Sequence, residues 1–153
     1  MEFPINYKIY EEVAAGGVVI KKNKSGIFFA IVYRNQMNDV VIPKGHQKKG
    51  EDLLKTALRE VKEETGFIAT PVIYLTNTSY TVKDDKKKTI LIRPVYWFLM
   101  KYKSGSPRKK NKEVIKVEWT PLSTAGIKLL SYPNERRLAI RALNFFRKNV
   151  KFK

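Results

Sequence analysis

The segment from residue 50 to residue 66 constrains the fold of this chain more than any other, because it encloses one amphipathic helix between two glycines. Glu51 and Asp52 follow Gly50 and complement the positive end of a helix dipole, and Gly66 stands where a left-handed C-cap is expected. The spacing therefore predicts a helix over residues 51–65. At about 100° per residue, the side chains expected to face the core share one arc: Leu54, Leu58, Val61 and Thr65.

The acidic residues of this helix fall on a different face from the apolar ones. Glu60, Glu63 and Glu64 lie within one turn, where like charges at these spacings repel by about 0.2–0.5 kcal/mol per pair. Carboxylate oxygens are ligands that Mg²⁺ and Mn²⁺ prefer, so a divalent cation would turn this repulsion into binding. The pattern indicates either a metal site or a solvated acidic face, and the carboxylates alone do not decide between them.

The chain is strongly basic outside this helix. Lysine and arginine number 31 against 14 aspartate and glutamate residues, which gives a net charge of +17. Between residues 45 and 67 five basic and five acidic residues cancel, so the whole positive excess lies elsewhere. Such a field favours a phosphate-rich ligand over a neutral one, although a solvated basic surface explains the same composition.

Length and cysteine content bound the class of protein. The 153 residues match the usual size of one domain, and we expect a single domain over residues 1–153. The absence of cysteine excludes a disulfide scaffold and cysteine-ligated zinc. The N-terminus lacks the pattern of a signal peptide, and no apolar run approaches the about 20 residues that cross a bilayer. We therefore expect a soluble, cytoplasmic protein with no membrane partner.

Runs of β-branched and aromatic residues predict a sheet interrupted by one helix and followed by others. The predicted strands cover residues 14–20, 27–34, 39–43, 67–82, 89–102 and 112–120. Helices are predicted at 121–132 and 134–150, and a basic, mobile loop at 103–112. This order implies an α/β (α+β) sandwich with mixed strand directions.

The last predicted helix has one apolar face and one basic face. Its apolar side chains recur at helical spacing and should pack against the core: Leu138, Ile140 or Ala142, Leu143, Phe145 and Phe146. The arginines of the same segment take the opposite face, which adds to the basic surface.

The full spacing around the first helix is more specific than its carboxylates alone. After Gly45 come five residues, a Glu, seven residues, an Arg–Glu pair, an aliphatic residue, any residue, a Glu–Glu pair, any residue, a Gly and an apolar residue. These positions are Gly45, Glu51, Arg59, Glu60, Val61, Glu63, Glu64, Gly66 and Phe67. In this pattern the segment resembles the signature of the Nudix hydrolases.

The resemblance implies a fold, a reaction and a set of metal ligands. Nudix hydrolases have an α/β/α sandwich with a mixed sheet, and they cleave nucleoside diphosphates linked to another moiety with Mg²⁺ or Mn²⁺. By this resemblance Glu60 and Glu64 are metal ligands, Glu63 belongs to the same cluster, and Gly45 offers its backbone carbonyl. Arg59 is expected to pair with a carboxylate such as Glu51 and to orient the helix, and Glu60 is one candidate for the general base.

Residues outside the helix complete the expected site. Lys44 can reach a phosphate oxygen, His46 can donate to another or shuttle a proton, and Arg34 ends a strand that runs toward the motif. Glu113 stands where some members of the family place a further metal-binding or basic glutamate. The candidates for base stacking are Tyr80, Tyr96 and Tyr132, of which Tyr132 is favoured and Tyr96 is expected to pack in the core.

The stretch "IPKGH" and the later "WTPLSTAGIKLLSYPNERR" resemble the diadenosine polyphosphate hydrolases. The same features are similar to those of diphosphoinositol polyphosphate and nucleoside triphosphate hydrolases. The basic excess leaves open an RNA substrate, with removal of pyrophosphate or a cap from a 5′ end. A non-catalytic nucleotide-binding module is the remaining alternative. The sequence does not indicate the leaving group or the oligomeric state.

Overall fold

The computed structural model describes residues 5–149, which contain eight strands and three helices. The strands are β1 (Lys8–Glu11), β2 (Ala14–Asn23), β3 (Gly26–Arg34), β4 (Asp39–Val41), β5 (Lys44–His46), β6 (Phe67–Asp84), β7 (Thr89–Gly105) and β8 (Val114–Pro121). The helices are α1 (Leu53–Thr65), α2 (Thr124–Ile127) and α3 (Pro133–Lys148). Within the described residues, no helix is long and apolar enough to cross a membrane.

The strands form one mixed sheet in which β2 and β7 lie side by side in parallel. The path through the sheet is β1-β7-β2-β3-β4, with β5 paired to β2, β6 to β7 and β8 to β3. β1 is also parallel to β7, and the remaining pairs are antiparallel. Because β5 pairs with the start of β2, residues 44–46 lie beside residues 14–16 at one end of the sheet.

Apolar side chains cover both faces of the sheet. Along β2, Val18 joins the layer that contains Leu138 of α3, whereas Val19 joins the layer that contains Val61 of α1. This alternation follows from the period of two in a strand, and it places α1 on one face and α3 on the other. The predicted α/β/α sandwich with a mixed sheet is therefore confirmed.

Helix α1 ends at Gly66 as the sequence predicts, and Asp52 caps its start. The Asp52 side chain accepts a hydrogen bond from the Lys55 N–H at 2.8 Å, and Gly66 has the left-handed conformation with φ of 83° and donates to the Lys62 carbonyl. Asp52 is thus the N-cap, and the helix begins at Leu53 rather than at residue 51.

The expected apolar stripe of α1 is partly wrong. Its buried residues are Thr56, Ala57, Val61 and Thr65. Leu54 and Leu58 are only half-buried, whereas the side chains of Thr56 and Ala57 are fully buried. The helix is therefore rotated about its axis relative to the face that the leucines alone indicate.

Other boundaries also differ from the predictions. Of the helix predicted at 121–132, only α2 is helical, since Pro121 still belongs to β8. β7 continues to Gly105, so the basic loop begins after it. In α3, Ile140 is exposed and Ala139 and Ala142 are buried in its place. The last position of the predicted helix, residue 150, lies outside the described residues. β1 and β5 were not predicted, because each is short.

Candidate active site

A cleft of ≈ 490 Å³ opens where α1, β5, β3, β7 and the segment before β8 meet. It is lined by nine of the residues that the sequence singles out: Arg34, Lys44, Gly45, His46, Arg59, Glu60, Glu63, Glu64 and Glu113. Arg93 of β7 lines it as well. We call Glu60, Glu63 and Glu64 the acidic wall, and Arg34, Lys44 and Arg93 the basic wall.

Arg59 donates hydrogen bonds to two carboxylates of the acidic wall and to Glu51. Its Nε and Nη2 donate to the two carboxylate oxygens of Glu51 at 2.6 and 2.9 Å, which is the predicted pairing. Its Nη1 donates to Glu60 at 2.7 Å and to Glu63 at 3.2 Å, and Nη2 also donates to the His46 carbonyl at 2.8 Å. The Arg59 hydrogen bonds lower the pKa of Glu51 to about 2. One guanidinium thus fixes helix α1 against the loop that precedes it.

Gly45 lies directly beneath the Glu60 carboxylate. A Cβ atom at this position would overlap the carboxylate carbon and both oxygens of Glu60. Gly45 is the middle residue of β5 and pairs with Ala15 of β2, so its backbone cannot easily move away. A Cβ atom at this position would therefore displace the Glu60 carboxylate from where it lies.

Glu64 is the most enclosed carboxylate of the acidic wall. Its Oε2 accepts a hydrogen bond from the Lys44 N–H at 3.3 Å. Burial raises the pKa of Glu64 to about 8; the nearby Lys44 side chain opposes this rise and the Glu60 carboxylate adds to it. The protein alone therefore does not compensate the charge of this group.

The acidic wall has the chemistry of a divalent metal site. As the side chains lie, no three acidic or histidine groups among residues 5–149 converge closely enough to hold an ion, and each of the three carboxylates accepts one hydrogen bond from a protein donor. Within the same residues, Glu60 Oε2 and Glu64 Oε1 accept no hydrogen bond. Hard carboxylate oxygens with unused acceptors suit Mg²⁺ or Mn²⁺, so the residues present fit such an ion.

Lys44 of the basic wall is enclosed at the base of the cleft. Burial lowers the pKa of Lys44; Glu135 of α3 opposes the shift and Arg34 adds to it. Glu135 is itself buried, its Oε1 accepts a hydrogen bond from the Ile42 N–H at 2.6 Å, and burial raises its pKa. A buried carboxylate of α3 thus anchors the strand segment that carries Lys44.

Arg34 is held by a carboxylate of the next strand. Its Nε and Nη2 donate to the two oxygens of Asp39 at 2.8 and 2.5 Å, and this pairing raises the pKa of Arg34. The Tyr132 hydroxyl donates to the same carboxylate at 2.5 Å. Tyr132 is not among the residues that line the cleft, so the structure connects this predicted residue to it only through Asp39 and Arg34.

The two other aromatic candidates have different positions. The Tyr80 hydroxyl accepts a hydrogen bond from Arg93 Nη1 at 2.7 Å, which places this tyrosine beside the cleft. Tyr96 packs against the apolar layer under α1, as expected, with its ring 6.4 Å from that of Tyr74.

Several residues at or behind the cleft were not found from the sequence: Glu12, Asp39, Arg93 and Glu135. Arg93 carries a signal of its own, because it is a charge in the middle of the apolar run "TILIRPVYWF". No local sequence pattern marks Glu12, Asp39 or Glu135. Each contributes to the cleft only through a partner that is far away in the sequence or on a neighbouring strand.

Residues 11–143 of the chain match the family described as the NUDIX domain. MutT4 of Mycobacterium tuberculosis (strain CDC 1551 / Oshkosh) is 35% identical over 98 residues, which cover 64% of this chain and 38% of that protein. The 8-oxo-(d)GTP phosphatase of Mycolicibacterium smegmatis is 30% identical over 112 residues, which cover 73% of this chain and 32% of that protein. The chain spans about a third of the length of these curated relatives.

The fold is also that of a solved structure. The Ap4A hydrolase of C. elegans, in a binary complex, superposes with a TM-score of 0.70 at 23% sequence identity. The superposition covers 90% of this chain and 99% of that one, so the likeness in fold extends over nearly the whole chain.

Proposed function

The chain belongs to the Nudix family, and we propose that it is a divalent-metal-dependent pyrophosphohydrolase that cleaves a phosphoanhydride bond of a nucleoside polyphosphate. The observation that carries the proposal is the cleft itself, in which the acidic wall and the basic wall line one cavity of ≈ 490 Å³. A polyphosphate bound to a divalent cation presents both charges at once, and such a cleft complements both.

The acidic wall would hold the metal. Glu60, Glu63 and Glu64 supply carboxylate oxygens, and Gly45 supplies its carbonyl as a fourth candidate ligand. When bound, Mg²⁺ or Mn²⁺ neutralises phosphate oxygens and lowers the pKa of a coordinated water. Arg59 is a positioning residue in this proposal, because it holds two of these carboxylates through hydrogen bonds.

The basic wall would bind the phosphates. Lys44 and Arg34 offer positive charge at the base of the cleft, and His46 lines the same cavity with its side chain half-exposed. A carboxylate must accept the proton of the attacking water, and the candidates are Glu60 and Glu113, both of which line the cleft. Tyr132 would stack on the nucleobase of the substrate only if the bound nucleotide extends past Arg34 toward α3.

The favoured substrate is a dinucleoside polyphosphate such as diadenosine tetraphosphate. The "IPKGH" stretch and the superposition on an Ap4A hydrolase support this choice. The relatives MutT4 and 8-oxo-(d)GTP phosphatase favour a nucleoside triphosphate instead, and the similarity in sequence makes this the second candidate. The net charge of +17 favours a triphosphorylated RNA end as a third, and a diphosphoinositol polyphosphate or a non-catalytic binding module is less favoured.

Product analysis with Mg²⁺ tests the proposal. Diadenosine tetraphosphate, GTP, 8-oxo-dGTP and a 5′-triphosphorylated RNA would be incubated with the wild-type protein and with Glu64→Gln, and the products separated by anion exchange. We expect asymmetric cleavage of the dinucleotide to ATP and AMP, reduced by about 10²–10⁴ in the variant. Glu118→Gln is the matched control, because Glu118 pairs with Lys116 and does not line the cleft.

The outcomes separate the candidates. Preference for GTP, 8-oxo-dGTP or RNA would keep the reaction and change the substrate. Equal activity in Glu64→Gln and the wild type would contradict the role of the acidic wall. Tight binding of a nucleotide by calorimetry with no product in Mg²⁺ or Mn²⁺ would establish the binding module.

A further inference from the structure

The arginines that line the cleft in the described part of the chain are not paired alike. Arg34 uses its Nε and Nη2 to bind both oxygens of Asp39, and Arg59 uses the same two nitrogens to bind both oxygens of Glu51. This edge of a guanidinium matches two oxygens of a carboxylate or a phosphate. Arg93 lacks that complete pairing.

Arg93 is oriented but incompletely satisfied. Its Nη1 donates to the Tyr80 hydroxyl at 2.7 Å, and its guanidinium carbon lies 5.5 Å from the centre of the Tyr80 ring. Its Nη2 donates to one oxygen of Glu12 at 2.5 Å. Its Nε is buried and has no hydrogen-bond partner among the described residues. The contact with Glu12 therefore satisfies only Nη2 and leaves Nε of the same edge without an acceptor. Leaving a buried donor unpaired costs free energy.

Glu12 is more exposed than the carboxylates that pair with the Nε and Nη2 edges of the other two arginines. Its side chain is 48% exposed, against 6% for Asp39 and 18% for Glu51. The oxygen that contacts Arg93 also lies 3.5 Å from His46 Nε2. One solvent-exposed anion therefore lies between two basic side chains that line the cleft.

We propose that Arg93 binds a phosphoryl group of the substrate and that Glu12 occupies the position of that group until the substrate arrives. The phosphoryl group supplies two oxygens to the Nε and Nη2 edge where Glu12 supplies one, and the Glu12 side chain turns into solvent. This inference rests on the proposed function, because it assigns a further substrate-binding residue to the same cleft. Tyr80 keeps the guanidinium in place while the anions exchange.

Removal of the Glu12 charge tests the exchange. Glu12→Gln is expected to lower KM for diadenosine tetraphosphate by about 3- to 10-fold, because a neutral amide competes poorly for a guanidinium. The effect should fall on KM rather than on kcat. Glu11→Gln is the matched control, since it removes the same charge from the adjacent exposed residue of β1, and we expect a change of less than about twofold.

Arg93 supplies the second arm of a double-mutant cycle. Arg93→Lys keeps the charge but loses the planar fork, so KM should rise by about tenfold. In the Arg93→Lys background, Glu12→Gln should lower KM by less than about twofold, because the two changes act on one contact. A KM that is unchanged or raised in Glu12→Gln, or a decrease that persists in the double variant, overturns the proposal.

A binding measurement separates this inference from the proposed function. Inorganic tripolyphosphate would be titrated calorimetrically into the wild-type protein and each variant in EDTA, where no hydrolysis occurs. Affinity should rank Glu12→Gln above the wild type and the wild type above Arg93→Lys, with Glu11→Gln equal to the wild type. This order without hydrolysis of any nucleotide would sustain the inference and refute the proposed function; hydrolysis without this order would refute the inference alone.

Discussion

The two walls of the cleft are built in opposite ways. The three glutamates of the acidic wall lie within one turn of one helix, and a single residue, Arg59, connects two of them, Glu60 and Glu63, to Glu51 in the preceding loop. The basic wall comes from three separate strands, and each cation is accompanied by an acid from another element: Arg34 by Asp39, Lys44 by Glu135 and Arg93 by Glu12. The acidic wall is thus set by helical spacing, whereas the basic wall depends on the register of the sheet.

The largest effect should follow from closing the space between the walls. Gly45→Ala places a Cβ inside the volume of the Glu60 carboxylate. A displacement of about 1 Å at a reacting centre costs about 10² in rate, and we expect a loss of that size in kcat/KM toward diadenosine tetraphosphate. Steady-state kinetics in Mg²⁺ would measure it.

Thermal unfolding of a double-mutant cycle identifies the cause of that loss. Overpacking should destabilise Gly45→Ala by about 1–3 kcal/mol in the wild-type background. In a Glu60→Ala background the same substitution should cost much less, because the overlapping carboxylate is gone. Equal destabilisation in both backgrounds would show that the strand backbone, rather than Glu60, excludes the methyl group.

The second effect is the pH dependence of the unfolding free energy of the metal-free protein. The pKa of Glu64 is raised to about 8 from its ordinary value of 4.5, so the folded protein binds this proton more tightly than the unfolded chain. Stability from this group is present below about pH 4.5 and is lost as pH rises toward 8. Each pKa unit corresponds to about 1.4 kcal/mol, so we expect a loss on the order of 5 kcal/mol between the two ends of this window.

Urea unfolding in EDTA at several pH values would measure this dependence. Glu64→Gln should flatten it, because the amide does not titrate, and Glu118→Gln should not. Saturating Mg²⁺ should reverse the trend, since the ionised carboxylate is the form that binds metal. A wild-type stability that rises from pH 5 to pH 8 in EDTA would contradict the prediction.

The contrast between the walls also explains what the sequence predicts and what it does not. The acidic wall was predictable because Glu60, Glu63 and Glu64 share a helix whose period fixes their relation. Even there the apolar face was misjudged, since Thr56 and Ala57 are buried more completely than Leu54.

The basic wall was predictable only where it adjoins the motif. Lys44 and His46 were found because they flank Gly45, whereas Arg93 is 48 positions beyond Gly45 and reaches the cleft through the parallel pairing of β7 with β2. Its partner Glu12 precedes β2 by two positions, so the contact depends on a register that no local pattern encodes. Tyr132 was favoured from its place before the last helix, yet its hydroxyl is bound to Asp39 rather than lining the cleft.

The third effect tests how the basic wall is anchored. Glu135→Ala removes the acceptor of the buried Ile42 N–H and leaves that donor unpaired, which should cost about 2 kcal/mol of unfolding free energy. Glu135→Gln keeps an acceptor oxygen and should cost less than half as much. Urea unfolding of both variants at pH 7 would measure the difference. A larger loss in the Gln variant would indicate that the charge near Lys44, rather than the hydrogen bond, stabilises the wall.

The smallest effect concerns the basic surface outside both walls. Lys109 and Lys110 are exposed in the loop after β7, and Lys109→Ser with Lys110→Ser should change kcat/KM for diadenosine tetraphosphate by less than about twofold at 150 mM salt, where the screening length is about 8 Å. A triphosphorylated RNA that contacts both lysines would instead lose affinity, and its salt dependence would fall by about 1.4 in slope. Lys86→Ser with Lys87→Ser, in the exposed turn before β7, is the matched control. A loss of RNA affinity in the Lys109 and Lys110 variant alone would extend the basic wall along this loop and make RNA the favoured substrate. Equal, small changes in both variants would confine substrate recognition to the cleft.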